Sequence, residues 1–373
     1  MDSTQSQGTS SSISRLFFID NFRTSLIILV VLHHVALIYG AFAPFYYVEP
    51  PFNLAFLVFG LFNQGWFMGA LFLLSGYFTP ASFDRKGPGS FLKDRLLRLG
   101  IPLIMFHFVL NPVSSIGAWY MPTDLTGITT PLTWQAYPSL LGMGPMWFVA
   151  MLLIFDFGYA AWRMLTRNRT SDSTSKASLP SYLQIGIFIL VLAAVSYLVR
   201  VVIPIGKYVL DFPTLAYLPQ YLSFFMVGAV AYRHSWFRTL PSSMGWAGFA
   251  AAVVAGTVLF PRAFGDYFSG GGHWQSAVYA LWDSAFAVGI CLAAIVFFRR
   301  FLDRQGRFGR FPSQHSYTVY IIHIPIIVFL GVAFKGINLE PLLKFGMVSV
   351  IAVPTCFAVA YIVRKIPLAS RIL

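Results

Sequence analysis

Long apolar stretches separated by short polar connections run along almost the whole chain. Ten of these stretches approach the ~20 residues that an α-helix needs to cross the hydrocarbon core of a bilayer. They lie at about 22–43, 53–78, 99–120, 144–164, 181–203, 213–232, 244–260, 276–298, 316–334 and 342–363. The pattern therefore predicts an all-α fold, a polytopic membrane bundle of about ten transmembrane helices.

The polar start of the chain does not belong to this pattern. Its first twelve residues are rich in Ser, Thr, Gln and Gly, a composition typical of disordered segments. They lack the charged n-region and the cleavage site of a secretory signal peptide. We therefore expect a disordered polar tail over 1–14 and one transmembrane domain over 15–373.

Basic residues are distributed unevenly between the two sets of loops. The chain carries 26 Lys and Arg against 13 Asp and Glu, a net charge of +13. With ten spans, 21 of these 26 basic residues fall on the side that holds both termini. Because Lys and Arg concentrate in cytoplasmic loops, we expect both termini in the cytoplasm. The same charge indicates contact with anionic membrane lipid rather than with nucleic acid, for which the sequence offers no motif.

Composition narrows the class of protein further. Hydrophobic residues make up 57% of the chain and charged residues only 10%, which is typical of an integral multi-pass membrane protein. Cys291 and Cys356 lie far apart in apolar stretches, so we expect inert thiols and neither a disulfide nor a metal site. The sequence leaves open the oligomeric state, and whether the membrane is a bacterial inner membrane or a eukaryotic endomembrane.

The first apolar stretch carries charged residues at its entrance and two histidines deep inside it. Arg23 and His34 are eleven residues apart, which places them within ~20° on one helix face and ~16 Å apart along the axis. Asp20 lies one turn before Arg23 on that face, whereas His33 is rotated ~80–100° away. The charge at the membrane surface and the titratable ring at mid-depth resemble two ends of one narrow site.

Further polar side chains fall inside or near the apolar stretches. Such groups are costly in hydrocarbon and tend to face the interior of a bundle. For Asn63, Gln64 and Asn111 we favour hydrogen bonds between helices. A functional cavity and a structural role explain Asp156 equally well, and Asp283 fits the membrane interface. The complete set is His34, Asn63, Gln64, His107, Asn111, Asp156, Asp283 and His323.

A basic segment precedes the third apolar stretch. It contains Lys93, Arg95 and Arg98, and the two arginines, three residues apart, share a helix face. Ordinary anchoring at the cytoplasmic surface explains most clusters of this kind. The alternative is a site for a phosphorylated ligand, because arginine forks match the geometry of phosphate oxygens.

Five short motifs lie in order along most of the chain. They are Asp20-x2-Arg23-x10-His34, Phe72-Leu73-Leu74-Ser75-Gly76-Tyr77, Arg95-x2-Arg98-Leu99-x2-Pro102, Gly144-Pro145-Met146-Trp147-Phe148 and Ser316-Tyr317-x2-Tyr320-x2-His323. Together they resemble the signatures of the acyltransferase 3 family of integral membrane O-acyltransferases. The likeness is strongest to its succinyltransferase-like branch, known as glucan biosynthesis protein C.

The middle motif departs from part of that family. Many of its bacterial polysaccharide acetyltransferases read Trp-Ser-Leu-x-x-Glu, whereas this chain has no glutamate between Trp147 and Leu152. A role carried by that glutamate therefore cannot be transferred to this chain. Asp156, one turn further on, is our hypothesis for a substitute.

The resemblance implies transfer of an acyl group from acyl-coenzyme A (acyl-CoA) to a hydroxyl, with no metal or prosthetic group. A neutral histidine is suited to take the hydroxyl proton near pH 7, which makes His34 the expected general base. Coenzyme A carries phosphates that require arginine or lysine. We expect the donor to be bound by Arg23, Lys93, Arg95 and Arg98, with Asp20 orienting Arg23. The expected lining of the site is Ser75, Asp156, Tyr317 and His323.

The acceptor and two other functions stay open at this point. The acceptor hydroxyl belongs to a glycan, a lipid or a small metabolite, and the acyl group is acetyl, succinyl or similar. A secondary transporter of a small polar solute would use the same buried His and Asp side chains as a proton relay, although the sequence has no inverted repeat. A membrane sensor or scaffold without chemistry is the third alternative.

Overall fold

The computed structural model describes residues 16–166 and 179–373. Within these ranges the chain is helical and forms no β-sheet, only an isolated bridge between Val209 and Phe212. The all-α prediction is therefore confirmed. The predicted polar tail over 1–14 lies outside the described residues.

Ten helical segments in the described ranges are long and apolar enough to cross a membrane. They are α1 (Phe17–Gly40), α2 (Leu54–Lys86), α3 (Pro88–Tyr120), α4 (Trp134–Thr166), α5 (Tyr182–Val202), α6 (Leu215–Arg233), α7 (Ser242–Ala263), α8 (Trp274–Phe301), α9 (Gly309–Ala333) and α10 (Pro341–Val363). Each corresponds to one of the ten predicted stretches, so the protein is an integral multi-pass membrane protein.

Two of these segments are interrupted, and at the break in α2 a side chain of a neighbouring helix supplies a hydrogen bond. In α2, a break at Gly65 and Trp66 separates the helix Leu54–Gln64 from the helix Phe67–Lys86. The buried amide of Gln220 in α6 donates to the Gly65 carbonyl at this break (2.7 Å). In α4, the regular helix covers only Trp147–Thr166.

Prolines explain the irregular course of α3. A proline lacks the N–H that would bond the carbonyl four residues earlier, so Pro102 and Pro112 free the carbonyls of Arg98 and Phe108. Wide π-type turns occupy Leu96–Gly100 and Phe106–Leu110 at these places, as expected where the helical ladder is disturbed. A tyrosine hydroxyl from elsewhere donates to each freed carbonyl at 2.6 Å, Tyr317 to Arg98 and Tyr137 to Phe108.

Small residues let α2 and α6 approach each other at backbone distance. A Cβ atom at Gly76 would lie 2.0 Å from the carbonyl oxygen of Phe225, and one at Gly228 would lie 2.1 Å from that of Leu73. Only glycine fits at such distances, and close contact through small residues is how helices pack in the absence of a hydrophobic driving force. Gly76 is therefore a packing residue within the second motif.

The loops at one end of the bundle, which we call the basic end, are tied together by arginines. Asp84 forms ion pairs with Arg163 (3.4 Å) and Arg233 (2.7 Å). Arg299 donates to the carbonyls of Phe237 (3.0 Å) and Arg238 (2.8 Å) in the 234–241 connection. The predicted basic loops thus meet at one end. That this end faces the cytoplasm stays a prediction.

Ion pairs with buried cations lie at the opposite end. Arg200 in α5 is bonded to Asp283 in α8, and both side chains are almost fully buried. Lys344 in α10, also buried, is bonded to Glu49 in the connection after α1. Asp283 is therefore held inside the protein beside an arginine that compensates its charge, and its suggested position at the depth of the membrane interface stays a prediction.

Candidate active site

The first level of the candidate site lies near the start of α1, at the basic end. Arg23 Nη2 lies 3.2 Å from Asp20 Oδ1 and 3.5 Å from the carbonyl oxygen of Ser313 in α9. Thr24 Oγ1 lies 3.1 Å from Ser316 Oγ, which also fixes α9 to this part of α1. The Arg23 side chain is 38% exposed, so it remains accessible to a ligand at this end. We call this group the entrance level.

The second level holds one histidine from α1 and one from α9. His34 lies ten residues beyond Thr24, ~15 Å further along the helix axis. His34 Nδ1 lies 3.2 Å from His323 Nε2 and 2.8 Å from the carbonyl oxygen of Val30. His34 is partly exposed and its ring contacts that of Phe45, whereas His323 is fully buried. We call this group the histidine level.

His33 differs from His34 in its surroundings. Its side chain is buried, and its ring packs against Phe67 of α2, with 5.1 Å between the ring centroids. Because consecutive helical residues point ~100° apart, α1 presents only one of the two histidines to α9. The structure places His34 there, on the face that its alignment with Arg23 indicates.

Asp156 belongs to a third group, which lies between α2, α3 and α4. Its carboxylate is fully buried, with Oδ2 3.0 Å from Arg95 Nε and Oδ1 accepting a hydrogen bond from Thr79 Oγ1 (2.8 Å). The Arg95 guanidinium also lies over the ring of Phe91, 5.0 Å from its centroid. The structure therefore brings Asp156 to Arg95 rather than to the histidines.

The two predicted donor-binding arginines of α3 face different surroundings. The Arg95 side chain is 18% exposed and is held inward, whereas that of Arg98 is 56% exposed and pairs with Asp94 (3.1 Å). Asp94 also pairs with Lys86 (2.7 Å), and Lys93 is exposed. Arg95 and Arg98 therefore do not form a joint fork for phosphate in this structure.

Two predicted lining residues make contacts away from the histidine level. The carbonyl of Ser75 accepts the Thr79 hydroxyl (3.0 Å), which places Ser75 next to the group around Asp156. The Tyr317 hydroxyl is used at the Arg98 carbonyl (2.6 Å), so it connects α9 to α3 near the entrance level. Neither contact joins these residues to the histidine level.

Sequence reasoning missed two residues beside the histidine level. Phe45 and Tyr46 lie in the connection after α1, and their rings are 5.2 Å apart. The Tyr46 hydroxyl donates to Asn111 in α3, whose amide donates to the Leu140 carbonyl (2.7 Å). Burial raises the pKa of Tyr46, which keeps it a neutral donor. Connections carry no helical periodicity, so no signal in the sequence could identify these two residues.

The arrangement combines a positively charged entrance with a proton acceptor, and α1 fixes the distance between them. Arg23 supplies positive charge at the entrance level, and His34 can accept a proton ~16 Å deeper. Within residues 16–166 and 179–373, no three His, Cys, Asp or Glu side chains are placed to hold a metal ion together. At the two levels, the side chains of Arg23 and His34 are suited to binding anions and to proton transfer.

Comparison with known families identifies this combination of fold and motifs. A family model described as an acyltransferase domain, acyltransferase 3, matches residues 16–361, which is almost the whole described chain. The chain belongs to the acyltransferase 3 family. It is therefore a membrane acyltransferase, with a donor of acyl groups and a hydroxylated acceptor. The resemblance drawn from the five motifs is confirmed.

Relatives of this acyltransferase carry the name glucans biosynthesis protein C. Those of Salmonella typhimurium strain LT2, Salmonella heidelberg strain SL476 and Salmonella typhi are each 25% identical to it over 334 residues. The matched region covers 85% of this chain and 83% of each relative. The similarity thus extends over nearly the full length of both proteins.

Proposed function

We propose that this acyltransferase moves an acyl group from acyl-CoA to a hydroxyl, with His34 as the general base. The observation that carries the proposal is the position of His34. This residue is partly exposed at the histidine level, on the α1 face that also carries Arg23, while the adjacent His33 is buried. A base must reach the proton that it removes, and His34 is the more exposed of the two histidines.

In the proposed reaction, one ring nitrogen of His34 both takes up the proton and releases it. The Val30 carbonyl faces His34 Nδ1 at 2.8 Å, which leaves Nε2 to take the proton of the acceptor hydroxyl. The hydroxyl oxygen then attacks the thioester carbon, and the carbon–sulfur bond breaks as the coenzyme A thiolate leaves. The proton on Nε2 passes to this thiolate, so the ring returns to its starting state.

The distance between the two levels fits the shape of the donor. Coenzyme A carries its phosphates at one end and its thioester at the end of a long flexible arm. Phosphates at the entrance level and a thioester at the histidine level would be ~16 Å apart, the separation of Arg23 and His34 along α1. Exposed cations at the basic end, Lys93 and Arg98, would assist Arg23 in binding the phosphates.

Arg95 has a different part in this proposal. Its contact with Asp156 would have to break before the guanidinium could turn to a phosphate, and this would leave a buried carboxylate without a counter-charge. We therefore assign Arg95 to the positioning of α3 against α4. Asp156 would hold Arg95 in place rather than replace the missing middle-helix glutamate at the histidine level.

The first experiment measures whether coenzyme A is released. The protein is reconstituted into liposomes with acetyl-CoA or succinyl-CoA, and with a glucan as the first acceptor to test, since the relatives are named for glucan biosynthesis. We expect free thiol to appear only when donor and a hydroxylated acceptor are both present, and the acceptor to gain the acyl mass. Uptake of a polar solute without any release of coenzyme A would instead support a transporter.

A further inference from the structure

His323 cannot act on a substrate directly, yet it contacts the proposed base. It is fully buried, and its Nε2 lies 3.2 Å from His34 Nδ1. Its other nitrogen, Nδ1, lies 2.7 Å from the carbonyl oxygen of Tyr320, one turn earlier in α9. Any influence of His323 on the chemistry must therefore pass through the His34 ring.

The two backbone carbonyls determine which nitrogens carry hydrogen. A carbonyl oxygen can only accept a hydrogen bond, so a ring nitrogen within 2.8 Å of one must be an N–H donor. Val30 faces His34 Nδ1, and Tyr320 faces His323 Nδ1. In the neutral form, a histidine with hydrogen on Nδ1 has a bare Nε2. Both rings are therefore Nδ1–H tautomers.

Only one direction of the contact between the rings agrees with this assignment. His34 Nδ1–H donates, and its hydrogen is shared between the Val30 carbonyl and the bare Nε2 of His323. The reverse direction, with His323 Nε2–H donating to a bare His34 Nδ1, would set the lone pair of that nitrogen 2.8 Å from the Val30 oxygen. Two acceptors facing each other at this distance repel.

We propose that His323 is a positioning residue that, together with the Val30 carbonyl, keeps His34 in its Nδ1–H tautomer and turns His34 Nε2 toward the substrate. The tautomer of a catalytic histidine is set by the hydrogen bond that its other nitrogen makes. When Nε2 takes a proton, the ring becomes a cation, and His323 still accepts the Nδ1–H. This inference rests on the proposed role of His34 for its catalytic part, but the tautomer itself does not depend on that role.

The surroundings of His323 give it a fixed orientation. The hydroxyl of Tyr320 donates to the Pro145 carbonyl, two residues before the regular part of α4. The Tyr320 ring contacts that of Phe148, with 5.7 Å between the ring centroids. The Tyr320 carbonyl that holds His323 Nδ1 is thus part of a turn anchored to α4. These two contacts of Tyr320 give a physical reason for the Tyr320-x2-His323 spacing in the last motif.

The first test observes the ring nitrogens directly. The protein, with its seven histidines labelled with ¹⁵N, is placed in liposomes for solid-state NMR, and His34→Gln and His323→Gln identify the two sets of signals. We expect both rings to show a protonated Nδ1 and a bare Nε2 near neutral pH. A bare Nδ1 on His34, or a doubly protonated His323, would overturn the inference whether or not the protein transfers acyl groups.

The second test separates positioning from packing by kinetics. His323→Leu removes the acceptor and should lower kcat ~10-fold or more while the KM for acyl-CoA changes less than about twofold, since a correctly placed base contributes ~10²–10⁴-fold. His323→Gln, whose amide oxygen can accept from His34, should recover most of this loss. The matched control is His315→Leu, a buried histidine of α9 with the same type of backbone contact, at Phe311 (2.7 Å).

The kinetic outcomes distinguish a failure of the positioning role from a failure of the proposed function. An unchanged kcat in His323→Leu, or equal losses in His323→Leu and His323→Gln, would contradict a positioning role. If the unaltered protein released no coenzyme A from any donor, the proposed function would fail, and the NMR result would still decide the tautomer.

Discussion

At the residue scale, Arg23 and His34 lie on the same helix but are suited to different roles because their surroundings differ. Arg23 is partly exposed and paired with Asp20 at the basic end, and His34 lies deeper beside His323. The separation of His33 from His34 could be predicted, because it needs only the 100° step of a helix. The partner His323 could not be paired with His34, because their contact depends on how α9 packs on α1, 289 residues away.

The residue-scale prediction concerns Arg23→Gln. Hydrogen bonds to charged groups contribute ~1.5–3 kcal/mol, so losing the guanidinium should raise the KM for acyl-CoA about tenfold or more, with a smaller change in kcat. The control is Arg371→Gln, an exposed arginine of the C-terminal segment, which should leave the KM unchanged. Equal KM values for Arg23→Gln and the unaltered protein would remove Arg23 from the donor site.

At the element scale, α3 shows why irregular helices defeat sequence patterns. The apolar run predicted a span over 99–120, and the helix extends further, over Pro88–Tyr120. Its two prolines free two carbonyls, and tyrosines from outside the helix satisfy them. Tyr317 could be singled out from the motif, but its partner could not, because nothing local in the sequence shows which side chain reaches a freed carbonyl.

The element-scale prediction concerns the pair of Arg95 and Asp156, which joins α3 to α4. Removing one partner of a buried ion pair leaves an uncompensated charge and costs ~3–5 kcal/mol, whereas replacing both by apolar residues is often neutral. Asp156→Ala should therefore lower the melting temperature in detergent strongly, and the double variant Arg95→Met with Asp156→Leu should recover most of it.

The double variant also tests the assignment of Arg95. We expect its KM for acyl-CoA to stay within about threefold of the unaltered protein, since Arg95 is held inward by Asp156. A large rise in this KM with normal thermal stability would instead return Arg95 to the donor site.

At the scale of the whole molecule, ten spans and the gathering of basic loops at one end follow from composition and period alone. Apolar length predicts the spans, and the uneven distribution of Lys and Arg predicts which loops lie together. The buried pairs of Arg200 with Asp283 and of Lys344 with Glu49 could not be predicted. Each joins residues that are distant in sequence, and each charge on its own resembles an ordinary residue near a membrane surface.

The whole-molecule prediction is that the basic end faces the cytoplasm. In a protein with Cys291 and Cys356 replaced by Ala, a single cysteine is introduced either at Lys93, exposed in the first turns of α3, or at Leu210, exposed in the connection between α5 and α6 at the opposite end. In intact cells, an impermeant thiol reagent should label the cysteine at 210 and spare the one at 93. Labelling of position 93 alone would reverse the orientation and place the donor site on the wrong side for cytoplasmic acyl-CoA.

The most direct test of the central claim compares His34→Ala with His33→Ala in one assay, acyl transfer from labelled acyl-CoA by protein in liposomes. His34→Ala should lose ~10²–10⁴-fold in kcat, the contribution of a general base, while it binds acyl-CoA and accumulates in the membrane normally. His33→Ala removes a buried ring that packs against Phe67 and lies edge-on to His34, and it should lose much less. An inactive His33→Ala together with an active His34→Ala would contradict the account.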